Sequence, residues 1–180
     1  MYIDISKLTN MEKSKFNQLC EAYDIAQENF GVYKKKCHAF AVELSKELKE
    51  YYQVPEQQFS LYKVEDNNNF NLIRGSILGA LTLTKDTHWH FGIGLTVCRV
   101  PNSYPEELIL IHILFRKKER ESSFYLKHTY SEQEFEVEIG DKASYLPYLD
   151  DLFVTIQSSY NKQIQQFVGE KTTRKLGYIQ

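Results

Sequence analysis

The hydrophobic positions of the first fifty residues recur at helical spacing and predict a short strand followed by two helices. Tyr2 to Ile5 favours the strand, and the pattern Thr9-x-x-Glu12 has the form of a capping box that opens a helix. The apolar stripe of this helix consists of Phe16, Leu19, Cys20, Tyr23, Ala26 and Phe30. Gly31 interrupts the pattern. A second stripe follows and consists of Tyr33, Cys37, Phe40, Ala41, Leu44, Leu48 and Tyr51. We therefore expect a second helix, amphipathic and ending before Pro55.

From Phe59 onward the hydrophobic period changes to two, which predicts antiparallel strands. Residues 59–64 alternate, and 65–69 form a loop of turn-forming residues. Residues 108–115 are apolar on both faces apart from one histidine, as expected for a central strand. Residues 123–129 and 134–139 predict two more strands, and the glutamates 134, 136 and 138 give the last one an acidic face.

The segment from Ser76 to Cys98 predicts a β-hairpin with two opposite faces. If residues 85–87 form its turn, Leu83 pairs with Trp89 and the pairing continues to Ile77 opposite Leu95. This arrangement gives one continuous apolar face. The other face is small and polar. It carries Ser76, Leu78, Ala80, Thr82 and Thr84 against His88, His90, Gly92, Gly94 and Thr96.

A long amphipathic stripe closes the chain and predicts a C-terminal helix. Pro147 lies near its expected start, and Gly169 stands where a C-terminal glycine cap is usual. The fold class is therefore α+β, with two N-terminal helices, a five- to six-stranded antiparallel sheet and one long C-terminal helix. This order is similar to that of helix-grip proteins, the lipid-transfer and polyketide-cyclase-like superfamily, in which the C-terminal helix encloses an apolar cavity against the sheet. A simple two-layer packing fits the order equally well.

The composition and net charge of the chain limit the classes of partner that it can bind. The 180 residues have the size of one domain, which we expect to span residues 1–180. The formal net charge is −2, so there is no global basic field for nucleic acid or an anionic membrane. Contact with nucleic acid would need the local basic patch Arg116, Lys117, Lys118 and Arg120. Three cysteines without C-x-x-C spacing, and no signal peptide or spanning segment, predict a reduced, cytoplasmic protein without membrane contact.

His88 and His90 are the candidate catalytic pair. Alternation on a strand places both imidazoles on one face, with Cα atoms about 6 to 7 Å apart. A shared metal would need a third ligand from Asp86, His112 or His128, and no spacing selects among these. Solvent-side histidines near a turn are the simpler interpretation. We therefore predict no metal and no cofactor.

Gly92 and Gly94 lie on the same face and indicate a close approach of something to the strand. A phosphate loop is excluded, because position 97 is valine and the segment lies within a strand. Either a tyrosine or phenylalanine of this chain covers the glycines, or a ligand or partner does.

The sequence thus favours a non-catalytic binding or interaction module for a small ligand or a partner subunit, with homo-oligomerisation left open. Its site would be a pocket between the sheet and the C-terminal helix, or the small-residue face. The residues predicted to bind are Thr82, Thr84, His88, His90, Gly92, Gly94 and Thr96. The alternative is a metal- or histidine-dependent enzyme, of hydrolase or nuclease type, that uses His88 and His90.

Overall fold

The computed structural model describes residues 13–65, 68–100, 104, 106–118, 122–129 and 131–168, the last seven by their backbone only. The predicted strand at 2–5, the capping box at 9–12 and the cap at Gly169 lie outside these ranges. The fold is α+β, with an antiparallel sheet and a C-terminal helix. Within the described ranges, no helix is both long and apolar enough to cross a membrane.

One helix, α1 (Lys15–Tyr52), replaces the two predicted N-terminal helices, so that prediction is wrong. Gly31 lies inside it. A single glycine costs a helix about 1 kcal/mol relative to alanine, too little to end one flanked by good helix formers. The chain divides into two compact units at Lys36 within this helix. Among the described residues of the first unit, Phe16 and Leu19 are exposed, whereas Cys37, Phe40 and Leu44 of the second unit are fully buried. The single domain over 1–180 stays a prediction.

Seven strands of the described part of the second unit form one sheet. They are β1 (Phe59–Val64), β2 (Phe70–Ile73), β3 (Thr82–Leu83), β4 (Trp89–Cys98), β5 (Glu106–Lys117), β6 (Ser123–His128) and β7 (Phe135–Glu138). Their order is β2-β1-β4-β5-β6-β7, and β3 also pairs with β4. All of these strand pairings are antiparallel, and the strands predicted at 59–64, 108–115, 123–129 and 134–139 form.

The predicted hairpin is only partly present. Leu83 pairs with Trp89 as expected and Thr82 with His90, but the pairing ends there. Farther along β4, the partner is β1, with Leu61 opposite Ile93. The segment before β3 forms a 3-10 turn (Ile77–Gly79) instead, because the Ser76 hydroxyl caps it by accepting a hydrogen bond from the Leu78 N–H at 3.2 Å.

The core lies on one face of the sheet. The odd-numbered residues of β4, from Trp89 to Leu95, are buried and face the helices. Phe40 of α1 stacks on Phe124 with 4.1 Å between ring centroids, and its ring lies 4.9 Å from that of Phe115. The C-terminal helix α2 (Lys142–Val168) begins at Lys142, five residues before Pro147, because the Asp141 carboxylate accepts the Ala143 N–H at 3.0 Å.

Candidate functional site

The turn between β3 and β4 brings together Thr84, His88 and His90, three of the residues predicted to bind. The Thr84 N–H donates to the His88 carbonyl across the turn and the Thr84 carbonyl accepts the Thr87 N–H, both at 3.1 Å, while Thr87 adopts a left-handed conformation with φ 66°. This geometry turns Asp86 back over the strand. Its carboxylate accepts the hydroxyl hydrogen of Thr84 and the backbone N–H of His88, the latter at 3.0 Å. Burial alone would raise the pKa of Asp86, but these hydrogen bonds and the nearby His90 lower it to about 2.

A hydrogen-bonded chain of side chains runs from Asp86 through His90 to His112. His90 Nε2 lies 3.0 Å from Asp86 Oδ2, and His90 Nδ1 lies 2.9 Å from His112 Nε2. A carboxylate only accepts, so the His90 proton lies on Nε2 and, when His90 is neutral, His112 donates from its own Nε2. His112 reaches His90 because Gly92 pairs with His112 in the β4–β5 register. The sequence analysis identified His112 only as one of three possible third ligands of a shared metal.

His112 remains neutral over most of the pH range. Burial, followed by the neighbouring His90, lowers its pKa to about 4. Its Nδ1 is buried and makes no hydrogen bond. His128, another possible third ligand, lies elsewhere, on the inward face beside the Tyr148 ring, where burial lowers its pKa as well. Among the described residues, no group of three histidine, cysteine, aspartate or glutamate side chains is placed to hold a metal ion.

His88 is directed toward the acidic strand rather than toward His90. Its Nδ1 lies 2.9 Å from the Asp86 carbonyl oxygen, which only accepts, so Nδ1 carries the proton. Its Nε2 lies 3.8 Å from Glu134 Oε1. Glu134 also accepts a hydrogen bond from Arg116 at 2.9 Å, and this contact lowers its pKa. Lys118 is paired in the same way with Glu136 at 2.6 Å. Two residues of the basic patch, Arg116 and Lys118, thus face acids, whereas Lys117 donates to the Lys118 carbonyl at 3.0 Å. Arg120 lies outside the described residues, and contact with nucleic acid stays a prediction.

Side chains of β1 and β2 cover the predicted glycine face. A Cβ atom added at Gly92 would lie 2.8 Å from the Phe70 ring and 2.9 Å from Tyr62 Cβ. One added at Gly94 would lie 2.6 Å from the Tyr62 ring and 2.5 Å from Ser60 Oγ. The glycines are therefore required where these side chains cross β4. Of the remaining predicted residues, Thr82 is half-buried beside His90.

An apolar groove of about 290 Å³ lies at the other end of β4, between the sheet and α2. We call it the terminal groove. Its lining comprises Tyr52, Gln53, Val54, Pro55, Gln58, Leu95, Thr96, Val97, Cys98, Ile109, Phe153 and Ile156. Thr96 is thus the one predicted binding residue that lines it. The groove forms because α1 ends at Tyr52 and the following segment turns away through Gln53, which has φ 51°.

A second, larger concavity of about 510 Å³ differs in chemistry. It is lined mainly by charged residues of α1 and by Gly140 and Lys142. Its charged groups have partners: Lys142 pairs with Glu47 at 3.5 Å, Lys46 pairs with Glu50 at 3.5 Å, and Glu43 accepts the Gly140 N–H at 2.7 Å. The terminal groove is the more apolar of the two, since Leu95, Ile109 and Ile156 line it.

Comparison with known proteins adds no relative: no family model, curated protein or solved structure matches this chain.

Proposed function

We propose that this protein is a non-catalytic binding module that holds a small, largely apolar ligand in the terminal groove. The observation that carries the proposal is the groove itself, which is open to solvent yet lined by Leu95, Ile109 and Ile156. Its volume of about 290 Å³ is at the lower end of the range for ligand pockets. A ligand of one or two rings fits this space. Helix-grip proteins, which the element order resembles, also hold their ligands between a C-terminal helix and a sheet.

Exposed apolar side chains at the rim of the groove favour the binding of a ligand. Phe153 and Val97 line the groove, and their side chains are 47% and 38% exposed. A bound ligand would therefore remove apolar surface from water. Polar groups at the same place can orient a ligand. Gln58 donates one amide hydrogen to Cys98 Sγ at 3.2 Å, and a glutamine amide has further donor and acceptor capacity. A mostly apolar lining with few polar groups is typical of small-molecule sites.

Cys98 provides a direct test. In a Cys20→Ser background, which removes the exposed thiol, only Cys98 is accessible to a thiol reagent because Cys37 is fully buried. The rate at which Ellman's reagent modifies Cys98 is measured with increasing 2-naphthol, a two-ring probe with one polar group. We expect saturable protection of at least fivefold. A rate independent of 2-naphthol would contradict binding in the groove.

A second candidate function is histidine-dependent catalysis, favoured by the chain Asp86–His90–His112. A carboxylate that orients a histidine is the arrangement of many general bases. It ranks second because both ring nitrogens of His90 already have partners and His112 has its pKa lowered to about 4. Hydrolysis of p-nitrophenyl acetate and metal content, compared between the natural protein and His88→Gln and His90→Gln, test it. Loss of either property in one of the variants would favour the enzyme; equal values in all three proteins would exclude it.

A further inference from the structure

The first part of α1 carries an unbroken heptad seam. Apolar side chains recur with the alternating spacing of three and four that defines the a and d positions of a coiled coil. These positions are Phe16, Leu19, Tyr23, Ala26, Phe30 and Tyr33. Phe16, Leu19 and Tyr23 are 72%, 69% and 64% exposed, and Phe30 is 46% exposed. This helical segment of about five turns thus presents a continuous apolar stripe. Such a stripe differs from the single exposed apolar residues that are normal on protein surfaces.

Charge is distributed unequally around this seam. The e and g positions that flank a coiled-coil seam hold Lys15, Lys34 and Lys36 and no acid, the others being Cys20, Ala22, Gln27 and Asn29. The three acids of the segment, Glu21, Asp24 and Glu28, all fall at b and f positions, away from the seam. Since e and g residues set partner choice in coiled coils, the seam has a basic rim.

We propose that this basic-rimmed seam binds an acidic amphipathic helix of a partner protein as a two-stranded coiled coil. A helix with Glu or Asp at its e and g positions places an acid beside each lysine of the rim. A second copy of this chain does not. In a parallel pair Lys15 faces Cys20 and Lys34 faces Asn29, and in an antiparallel pair Lys15 lies beside Lys36 of the other copy, which is repulsive. The proposal concerns a surface other than the terminal groove and goes beyond small-ligand binding.

Two synthetic 21-residue helices test the proposal with the full-length protein. Both carry Leu at a and d; one carries Glu at every e and g position and the other Lys. We expect fluorescence anisotropy to show at least tenfold tighter binding of the Glu peptide, with the difference reduced in 0.5 M salt. Leu19→Glu should abolish this binding. The matched control is Ile25→Glu, which changes another exposed apolar residue at a c position, off the seam, and should leave binding within twofold.

Three results would overturn the proposal. The first is equal binding of the Glu and Lys peptides, because the rim would then play no part. The second is equal effects of Leu19→Glu and Ile25→Glu. The third is a dimer of this chain by light scattering that Leu19→Glu converts to a monomer, because the seam would then be occupied by a second copy. Circular dichroism of each variant verifies that the helix content is unchanged.

Discussion

The two faces of β4 are built from alternate residues of one strand and differ in what specifies them. The inward face carries Trp89, Phe91, Ile93 and Leu95, all buried against the core. The outward face begins with His90 in a polar network, continues through two glycines under aromatic rings, and ends at Thr96, which lines the terminal groove together with Leu95 of the inward face. The inward face requires large apolar side chains in a row. The outward face requires a different residue type at each position, because a different neighbour meets it there.

This difference indicates where a ligand-binding site can lie in such a sheet. Burial on the inward face is shared among many contacts, so each side chain contributes mainly to stability. On the outward face, the Tyr62 and Phe70 side chains already occupy the space above the glycines, and both ring nitrogens of His90 already make hydrogen bonds. Space for a ligand is found at the end of β4, in the terminal groove between the sheet and α2.

The largest effect is expected on the inward face. Trp89→Ala should lower the free energy of unfolding by about 3 to 5 kcal/mol, because it removes a large side chain that is 4% exposed. Leu83→Ala is the matched control, since Leu83 pairs with Trp89 but is 39% exposed, and it should cost less than about 1 kcal/mol. Urea denaturation measures both. Similar losses in the two variants would show that the inward face is not the core.

The next effect tests whether the glycine face is internal packing. Gly92→Ala should cost about 1 to 3 kcal/mol, because the new methyl group overlaps Phe70 and the fixed Cβ of Tyr62. Gly31→Ala, in α1 with nothing within 4 Å, should instead stabilise by about 0.5 to 1 kcal/mol. The difference in melting temperature between these variants is the measurement. A Gly92→Ala protein as stable as the natural one would mean that Tyr62 and Phe70 do not rest on this face.

A smaller effect is expected from pH at the histidine network. An unfolded chain protonates residue 112 near pH 6.5, whereas the folded protein does so only near pH 4. Proton uptake therefore favours unfolding, and stability falls as the pH is lowered from about 6.5 to 4. Allowing for partial solvent screening, we expect His112 to account for about 1 to 2 kcal/mol of this loss.

Comparison of the natural protein with His112→Gln isolates this contribution. His128 also has a lowered pKa but is unchanged in both proteins, and Asp86, with a pKa of about 2, titrates at lower pH. The stability difference between the two proteins should shrink or change sign as the pH falls from 7 to 4. Parallel pH curves for the two proteins would contradict a neutral, buried His112.

The smallest effect concerns the turn that supports the histidines. Thr87 has φ 66°, a left-handed conformation that disfavours β-branched residues and suits asparagine. Thr87→Asn should therefore raise the free energy of unfolding by about 0.5 to 1 kcal/mol. Thermal unfolding measures the change. A lower melting temperature would indicate that the threonine side chain makes contacts that outweigh the backbone strain.

The same contrast explains which parts of the fold sequence reasoning could predict. Strict alternation at residues 134–139 predicted β7, because burial of one face is enough to specify a strand. The partner of β4 was predicted only as far as Leu83, because period two does not state which strand lies alongside; that choice depends on β1, more than thirty residues earlier. The proximity of His112 to His90 depends on the β4–β5 register and was undetermined for the same reason.

The central claim is that the terminal groove, and not the histidine network, is the ligand site. Fluorescence titration of 2-naphthol tests it with two variants. Val97→Trp fills the groove from a partly exposed position, and His90→Gln alters the network at the other end of the strand. We predict that Val97→Trp raises the Kd at least tenfold and that His90→Gln changes it less than twofold. Weakened binding in His90→Gln with unchanged binding in Val97→Trp would contradict the claim.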